Sequence, residues 1–220
     1  MFIQTEKTPN DNAIKFLTGS TILDESGPRT IEFVSRKDAL KSPLALKLFG
    51  VPGVVSVMFG SDFITVTKDD SSQWTVLKPD LFSIIIEHLS SSLPILGDLY
   101  FRGVEDASAS ADAGPGLDSD HQQIVSEIKE LLDTRIRPSI MEDGGDLEFV
   151  SFDKSTGILS VTLQGACRGC SSSEVTLKNG IENMLTYYIP EVKSVLNVGS
   201  ELEKLSNDEF SKFSSKLEHQ

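Results

Sequence analysis

Only two cysteines occur in 220 residues. That scarcity excludes the disulfide framework that staples small secreted domains, and it excludes a four-thiolate metal site built by one copy of the chain. Histidine is nearly as rare, at three residues, and tryptophan occurs once. Basic residues are outnumbered, 20 against 33 acidic, for a net charge of −13. So acidic a chain repels a phosphate backbone, which argues against sequence-independent nucleic-acid binding. No apolar run reaches the roughly 20 residues that cross a bilayer, so no membrane partner is expected. The most apolar stretch, Leu81-Phe82-Ser83-Ile84-Ile85-Ile86, stops at Glu87-His88 and reads as a buried helix. The segment Met1 to Lys7 has neither an apolar signal core nor an Arg-rich amphipathic face. The expectation is that a targeting segment is absent or already removed.

What is present divides into two folded parts. Asp106 to Asp120 holds small, polar and acidic residues around Gly114-Pro115-Gly116, and such a stretch buries no core. The boundaries read from the sequence are 1–100 for an N-terminal α/β domain, 101–120 for a flexible acidic linker, 121–199 for a second small domain and 200–220 for a tail. The acid excess is densest outside the domains: residues 99–120 carry five acidic and one basic side chain.

The fold class is α/β in the mixed, α+β sense. In the first part, Phe2 to Thr5, Ala13 to Leu17 and Thr30 to Val34 read as strands, and Lys37 to Phe49 as a helix. Val54 to Phe59 and Phe63 to Thr67, joined by Gly60-Ser61-Asp62, read as a hairpin. Pro79 to Ser90 reads as a helix with its proline in the first turn. In the second part, Ile124, Val125, Ile128, Leu131 and Leu132 recur at helical spacing until Pro138 and Gly144-Gly145 end the helix. Asp146 to Phe152 and Ile158 to Leu163 read as strands, Val175 to Tyr188 as a helix and Val192 to Val198 as a last strand, giving α-β-β-α-β. In the tail, Leu202, Leu205, Phe210, Phe213 and Leu217 mark a loosely amphipathic helix suited to docking on the body or on a partner.

Both cysteines lie in Gly165-Ala166-Cys167-Arg168-Gly169-Cys170-Ser171-Ser172-Ser173. Ser171 and Glu174 form the Ser-x-x-Glu capping box that starts a helix, so Cys170 precedes a helix N-terminus and Cys167 lies on the turn leading to it. Helix-terminal N–H groups, together with Arg168, favour thiolate over thiol. Gly165 and Gly169 permit close approach of backbone to a ligand. Four readings follow. An inert pair fits poorly with a glycine-rich turn expected to be exposed. A thioredoxin-like dithiol–disulfide oxidoreductase shares the strand–CxxC–helix order, but no tryptophan precedes Cys167 and the element order differs. A zinc site within one copy is short of ligands, because His88, His121 and His219 lie outside or at the edge of this domain; a structural zinc bridging two copies stays open as the bland alternative. An iron–sulfur cluster takes four thiolates, which two copies each giving Cys167 and Cys170 supply on a two-fold axis.

The segment Ile124 to Val198 resembles the NifU-like C-terminal domain of Nfu iron–sulfur proteins. The resemblance rests on Arg135-Ile136-Arg137-Pro138, Met141-Glu142-Asp143-Gly144-Gly145-Asp146, the CxxC stretch and Thr176-Leu177-Lys178-Asn179-Gly180-Ile181-Glu182. The first part resembles the Nfu N-terminal domain through Phe2-Ile3-Gln4-Thr5, Thr8-Pro9-Asn10, Ser42-Pro43-Leu44-Ala45, Leu48-Phe49, Phe59-Gly60, Asp62 to Thr67 and Leu77-Lys78-Pro79. The resemblance implies a 4Fe–4S cluster carrier that is not an enzyme, with Cys167 and Cys170 as cluster ligands and metal site in a homodimer or higher homo-oligomer when cluster-bound. It implies apo recipients such as lipoate synthase and aconitase-type enzymes, upstream cluster-assembly factors, and the mitochondrial matrix or, alternatively, a bacterial cytoplasm.

The remaining candidates read as structural. Glu142, Asp143, Asp146 and Glu148 offer a carboxylate metal site, but the expected reading is solvated acids on a Gly-Gly turn; a middle reading packs this loop beside the CxxC turn. Arg135 and Arg137 read as helix-end charges, and Trp74 as a half-buried packing residue. Without ligand chemistry of its own, the N-terminal domain is expected to tune partner choice or dimer geometry rather than bind a cluster.

Overall fold

A computed structural model describes residues 3–24, 27–91, 93–102, 119–168 and 171–199, the side chains of 171–176 excepted. Most of the expected linker, the tail helix and Cys170 lie outside the described residues. By its contacts the chain forms two compact units. One comprises Met1–Leu117 with the short segments Ile140–Asp146 and Gln164–Cys167; the other comprises Asp118–Ser139, Leu147–Leu163 and Arg168–Gln220.

The first unit is built on five antiparallel strands: β1 (Gln4–Lys7), β2 (Ala13–Leu17), β3 (Ile31–Phe33), β4 (Val54–Phe59) and β5 (Phe63–Lys68), in the order β1-β2-β5-β4-β3. The expected hairpin is β4–β5, closed by Gly60 N–H donating to Phe63 O at 2.9 Å. Ile14, Phe16, Val57, Phe59, Ile64 and Val66 alternate onto one face and meet Leu77, Leu81 and Ile85 of helix α3 (Trp74–Ser90). The period-two pattern of the strands and the four-residue spacing on the helix thus make one core. Trp74 is half-buried, as expected, and its Nε1–H donates to Asp11 O at 2.9 Å.

Proline placement departs from expectation twice in this unit. The single helix expected over 37–49 is two, α1 (Arg36–Ala39) and α2 (Pro43–Leu48). Pro43 forces Ser42 out of the helical region, to φ −139° and ψ 119°, and Ser42 then caps α2 by accepting from Ala45 N–H. Conversely, α3 begins five residues before Pro79, which lies inside the helix on its exposed side.

The second unit starts with α4 (Ser119–Leu131), passes through a π-helical turn (Leu132–Ile136) and continues as α5 (Arg137–Glu142), whose last residues belong to the first unit. Pro138 therefore does not end the helix. The π turn, marked by Arg137 N–H donating to Leu132 O, widens the coil where a proline ring would otherwise strike the preceding turn. It also keeps Ile128, Leu132, Ile136 and Ile140, all buried, nearer one line. At 3.6 residues per turn, a four-residue repeat drifts by about 40° per step, and a wider turn absorbs part of that drift.

A three-stranded sheet follows, ordered β6 (Gly145–Asp153), β7 (Ile158–Gly165) and β8 (Ser194–Asn197). Strands β7 and β8 are parallel, with Leu159 opposite Val195, and the crossover is helix α6 (Ser171–Tyr188). The expected α-β-β-α-β order is present. On α6 the buried stripe is Ile181, Leu185 and then Ile189 just past its end, in steps of four, which leaves Tyr188 exposed.

Two predictions follow. Ser42 is fully buried, and its hydroxyl donates to Ile95 O while capping α2. Ser42→Ala should lower the unfolding free energy by about 1–2 kcal/mol in urea titration, whereas Leu46→Ala at an exposed position should change it far less. His88 is buried, with Nε2–H facing Pro94 O at 3.2 Å and Nδ1 without a hydrogen-bond partner. Burial, aided by Lys47, pulls its pKa below the ordinary 6.5 against the opposing pull of the Pro94 carbonyl and Glu87. The unfolded chain therefore binds a proton that the folded chain refuses, and stability falls as pH drops below 6.5. The loss in unfolding free energy between pH 7.5 and 5.5 should be smaller in His88→Gln than in the wild type.

Candidate functional site

Strand β7 ends at Gly165, whose φ of +62° is a left-handed conformation that swings the chain out of the sheet. The Gly144 carbonyl and the Met58 terminal methyl both stand 2.7 Å from where a Cβ would sit, so sterics demand glycine as well. Ala166, Cys167 and Arg168 form the turn that follows, and α6 starts at Ser171, as the capping-box reading expected. The side chains of that capping box, like Gly169 and Cys170, lie outside the described residues. Cys167 thus stands shortly before an 18-residue helix whose first N–H groups point out of its N-terminus.

The turn is not exposed. Cys167 is 8 % exposed, and its sulfur rests on the backbone of Gly145, where any Cβ would overlap it. Ala166 N–H donates to Gly144 O at 3.1 Å, and Cys167 N–H to Gln164 O at 3.3 Å. The exposed turn expected from composition is therefore corrected: two glycines from the segment after α5 let backbone close over the sulfur. The expectation that this segment packs beside the CxxC holds, and the glycine that receives the thiol is Gly145.

Side chains of the five-stranded sheet complete the enclosure within the first unit. Asn10 Nδ2 donates to Ala166 O at 3.1 Å, and Gly165 N–H donates to Glu32 Oε1 at 2.9 Å. Thr65 Oγ1 donates to Gly144 O at 2.7 Å, and Thr30 Oγ1 donates to Asp146 Oδ2. Lys15 Nζ donates to Met141 O and Glu142 O, both at 3.1 Å, and lies 3.6 Å from Glu6 Oε2. It meets the carbonyl end of α5, where a cation is favoured. None of these residues was singled out in the sequence as a site residue. For Lys15, Glu32 and Thr65 the only signal was a polar residue between apolar strand neighbours, as in Ala13-Ile14-Lys15-Phe16-Leu17, which names no partner; Asn10 and Thr30 lie outside the strands and carry none.

The four acidic candidates separate. Asp146 is buried on Thr30, while Glu142, Asp143 and Glu148 are exposed. Among the described residues no three His, Cys, Asp or Glu gather to hold a metal ion. Arg137 pairs with Asp133 at 3.0 Å across one turn, and Arg168 is half-buried beside Cys167.

Fold and candidate site together define a mixed α/β protein with a cysteine turn shortly before a long helix. Residues 3–92 match the family model described as the scaffold protein Nfu/NifU N terminal, and residues 128–196 match the NifU-like domain. A NifU-like protein of Schizosaccharomyces pombe is 49% identical over 220 residues, covering 99% of this chain and 80% of that protein. A Drosophila grimshawi protein named NFU1 iron-sulfur cluster scaffold homolog, mitochondrial, is 45% identical over 216 residues, covering 98% of this chain and 68% of its own. NifU-like protein 5, mitochondrial, of Arabidopsis thaliana is 45% identical over 195 residues, covering 89% and 67%. The chain belongs to the Nfu/NifU-like scaffold family.

Gly145→Ala tests the enclosure directly, since its Cβ and the Cys167 sulfur cannot both keep their places. The variant should lose about 1–3 kcal/mol of stability from overpacking. Its Cys167 should be alkylated faster than in the parent, both measured with Cys170→Ser so that one thiol is read. Unchanged stability and alkylation would contradict the placement of the sulfur.

Proposed function

We propose that this protein carries 4Fe–4S clusters as cargo, each held between two copies by Cys167 and Cys170 of both chains. One observation carries the reading: the only two thiols of the chain lie three residues apart, the first of them on a glycine-built turn before a long helix. Two thiolates cannot saturate a cluster that takes four, and a second copy supplies the remainder. Membership of a family whose mitochondrial relatives are named iron–sulfur cluster scaffolds supports the same reading.

The transfer chemistry is ligand exchange. A thiolate of the recipient bonds to a cluster iron as the Cys167 thiolate leaves it, and the exchange repeats at the other sulfurs. Charge and electron count are unchanged at each step, so no reductant is consumed. The helix N-terminus and Arg168 favour the anionic sulfur in both the bound and the released state. Recipients of the class of lipoate synthase and aconitase-type enzymes would receive the cluster, upstream assembly factors would supply it, and the mitochondrial matrix is the compartment. In this role the protein is a carrier and turns over no substrate.

Anaerobic reconstitution of the full chain should give about four irons per two chains, thiolate-to-iron charge-transfer absorbance and a dimer. Cys167→Ser and Cys170→Ser should each lose the colour and the dimer together. The reading fails if the chain stays colourless and monomeric while reducing protein disulfides through the same two thiols, which is the outcome an oxidoreductase requires.

A further inference from the structure

We propose that the polar face of the five-stranded sheet is a latch over the cysteine turn, closed in the metal-free chain and released when the turn takes up its cluster. The proposal rests on the carrier reading only for what opens the latch.

The strand register places one residue from each strand in a single row. Glu6 pairs with Lys15, Lys15 with Thr65, Thr65 with Met58, and Met58 with Glu32. Side chains at directly paired positions share a face, and this row lies opposite the apolar face formed by Phe16, Ile64 and Val57. Every member is engaged. Glu6 pairs with Lys15, which binds the two carbonyls at the end of α5; Thr65 binds Gly144 O; Met58 packs on Gly165; Glu32 takes the Gly165 N–H. Asn10, at the turn between β1 and β2, holds Ala166 O. The row thus grips both turns that enclose the Cys167 sulfur.

The closed arrangement does not suit a bridging ligand. The sulfur of a buried cysteine, seated on Gly145, cannot also face a cluster shared with a second copy, so the turn must lift. The grip suits release, because it consists mainly of hydrogen bonds to backbone groups that water can replace. A ligand that binds only the lifted turn shifts the balance toward it.

The test reads Cys167 in metal-free protein carrying Cys170→Ser. Adding Thr65→Val and Glu32→Leu removes one hydrogen bond to each turn, and alkylation should accelerate roughly tenfold, the equivalent of about two such bonds. An unchanged rate in a variant with native circular dichroism overturns the proposal. Amide hydrogen exchange of the unaltered chain tests it without relying on the variants. The Gly165 N–H should be protected in the metal-free form and exchange freely after cluster loading. Protection that is absent before loading, or that persists after it, overturns the latch. Failure to load any cluster counts against the carrier reading alone, since alkylation of the metal-free protein still decides whether the latch exists.

Discussion

Two turns that touch through bare backbone set the terms for the rest of the site. The segment after α5 offers Gly144 and Gly145, and the segment after β7 offers Gly165, Ala166 and Cys167. Their contact leaves no space for a Cβ at Gly145 or Gly165. Because no side chain intervenes, the sulfur sits directly on main chain, and the Ala166 N–H reaches the Gly144 carbonyl. A larger residue at Gly145 displaces the thiol, and one at Gly165 strikes the Gly144 carbonyl and Met58. Within the first unit, the strand ends and the polar sheet face are arranged around this one approach.

The approach leaves polar backbone buried, and buried carbonyls and N–H groups must find partners. The gripping row on the sheet provides several of them. Lys15 is the instructive case, because a buried ammonium is tolerated only when its donors are satisfied. Two donors go to the carbonyls ending α5 and a third faces the Glu6 carboxylate, with the Phe63 ring 4.8 Å from the nitrogen. A strand that must bury apolar residues on one face can still carry a charge on the other, provided that face meets the end of a helix.

Much of this fold was legible. Alternation located β2, β4, β5 and β7, and the order α-β-β-α-β of the second half followed from periodicity and turn residues. The three prolines were harder, because one residue type acts through its neighbours. Pro43 splits a helix since Ser42 can turn extended and cap the next one. Pro79 is accommodated within α3, on the exposed side of a helix whose buried stripe anchors it on both sides of the proline. Pro138 is admitted by the π turn before it. At the site, the CxxC and the glycine turn were readable as neighbours, whereas the burial of Cys167 was not. Burial depends on which side chains of the sheet and its turns face the cysteine turn, and that is set by contacts linking residues up to 156 positions apart, as between Asn10 and Ala166. A lone lysine, threonine or glutamate in a strand carries no mark of such a partner.

The composition of the grip bears on how a carrier keeps a thiolate and still surrenders it. An apolar seal over Cys167 would protect the sulfur by a hydrophobic term that nothing in a cluster or a recipient replaces, and it would disfavour the thiolate by desolvation. A grip of hydrogen bonds to main chain protects by occupancy instead. Each bond is modest net of the water it displaces, so the closed state is held by the sum and can be undone one contact at a time. Met58 is the one apolar member of the row, and it is also the most adaptable, an unbranched side chain able to repack as Gly165 withdraws. Under the proposed carrier function, Arg168 is a local cation on a chain of net charge −13, offsetting the surrounding field where an anionic sulfur would sit.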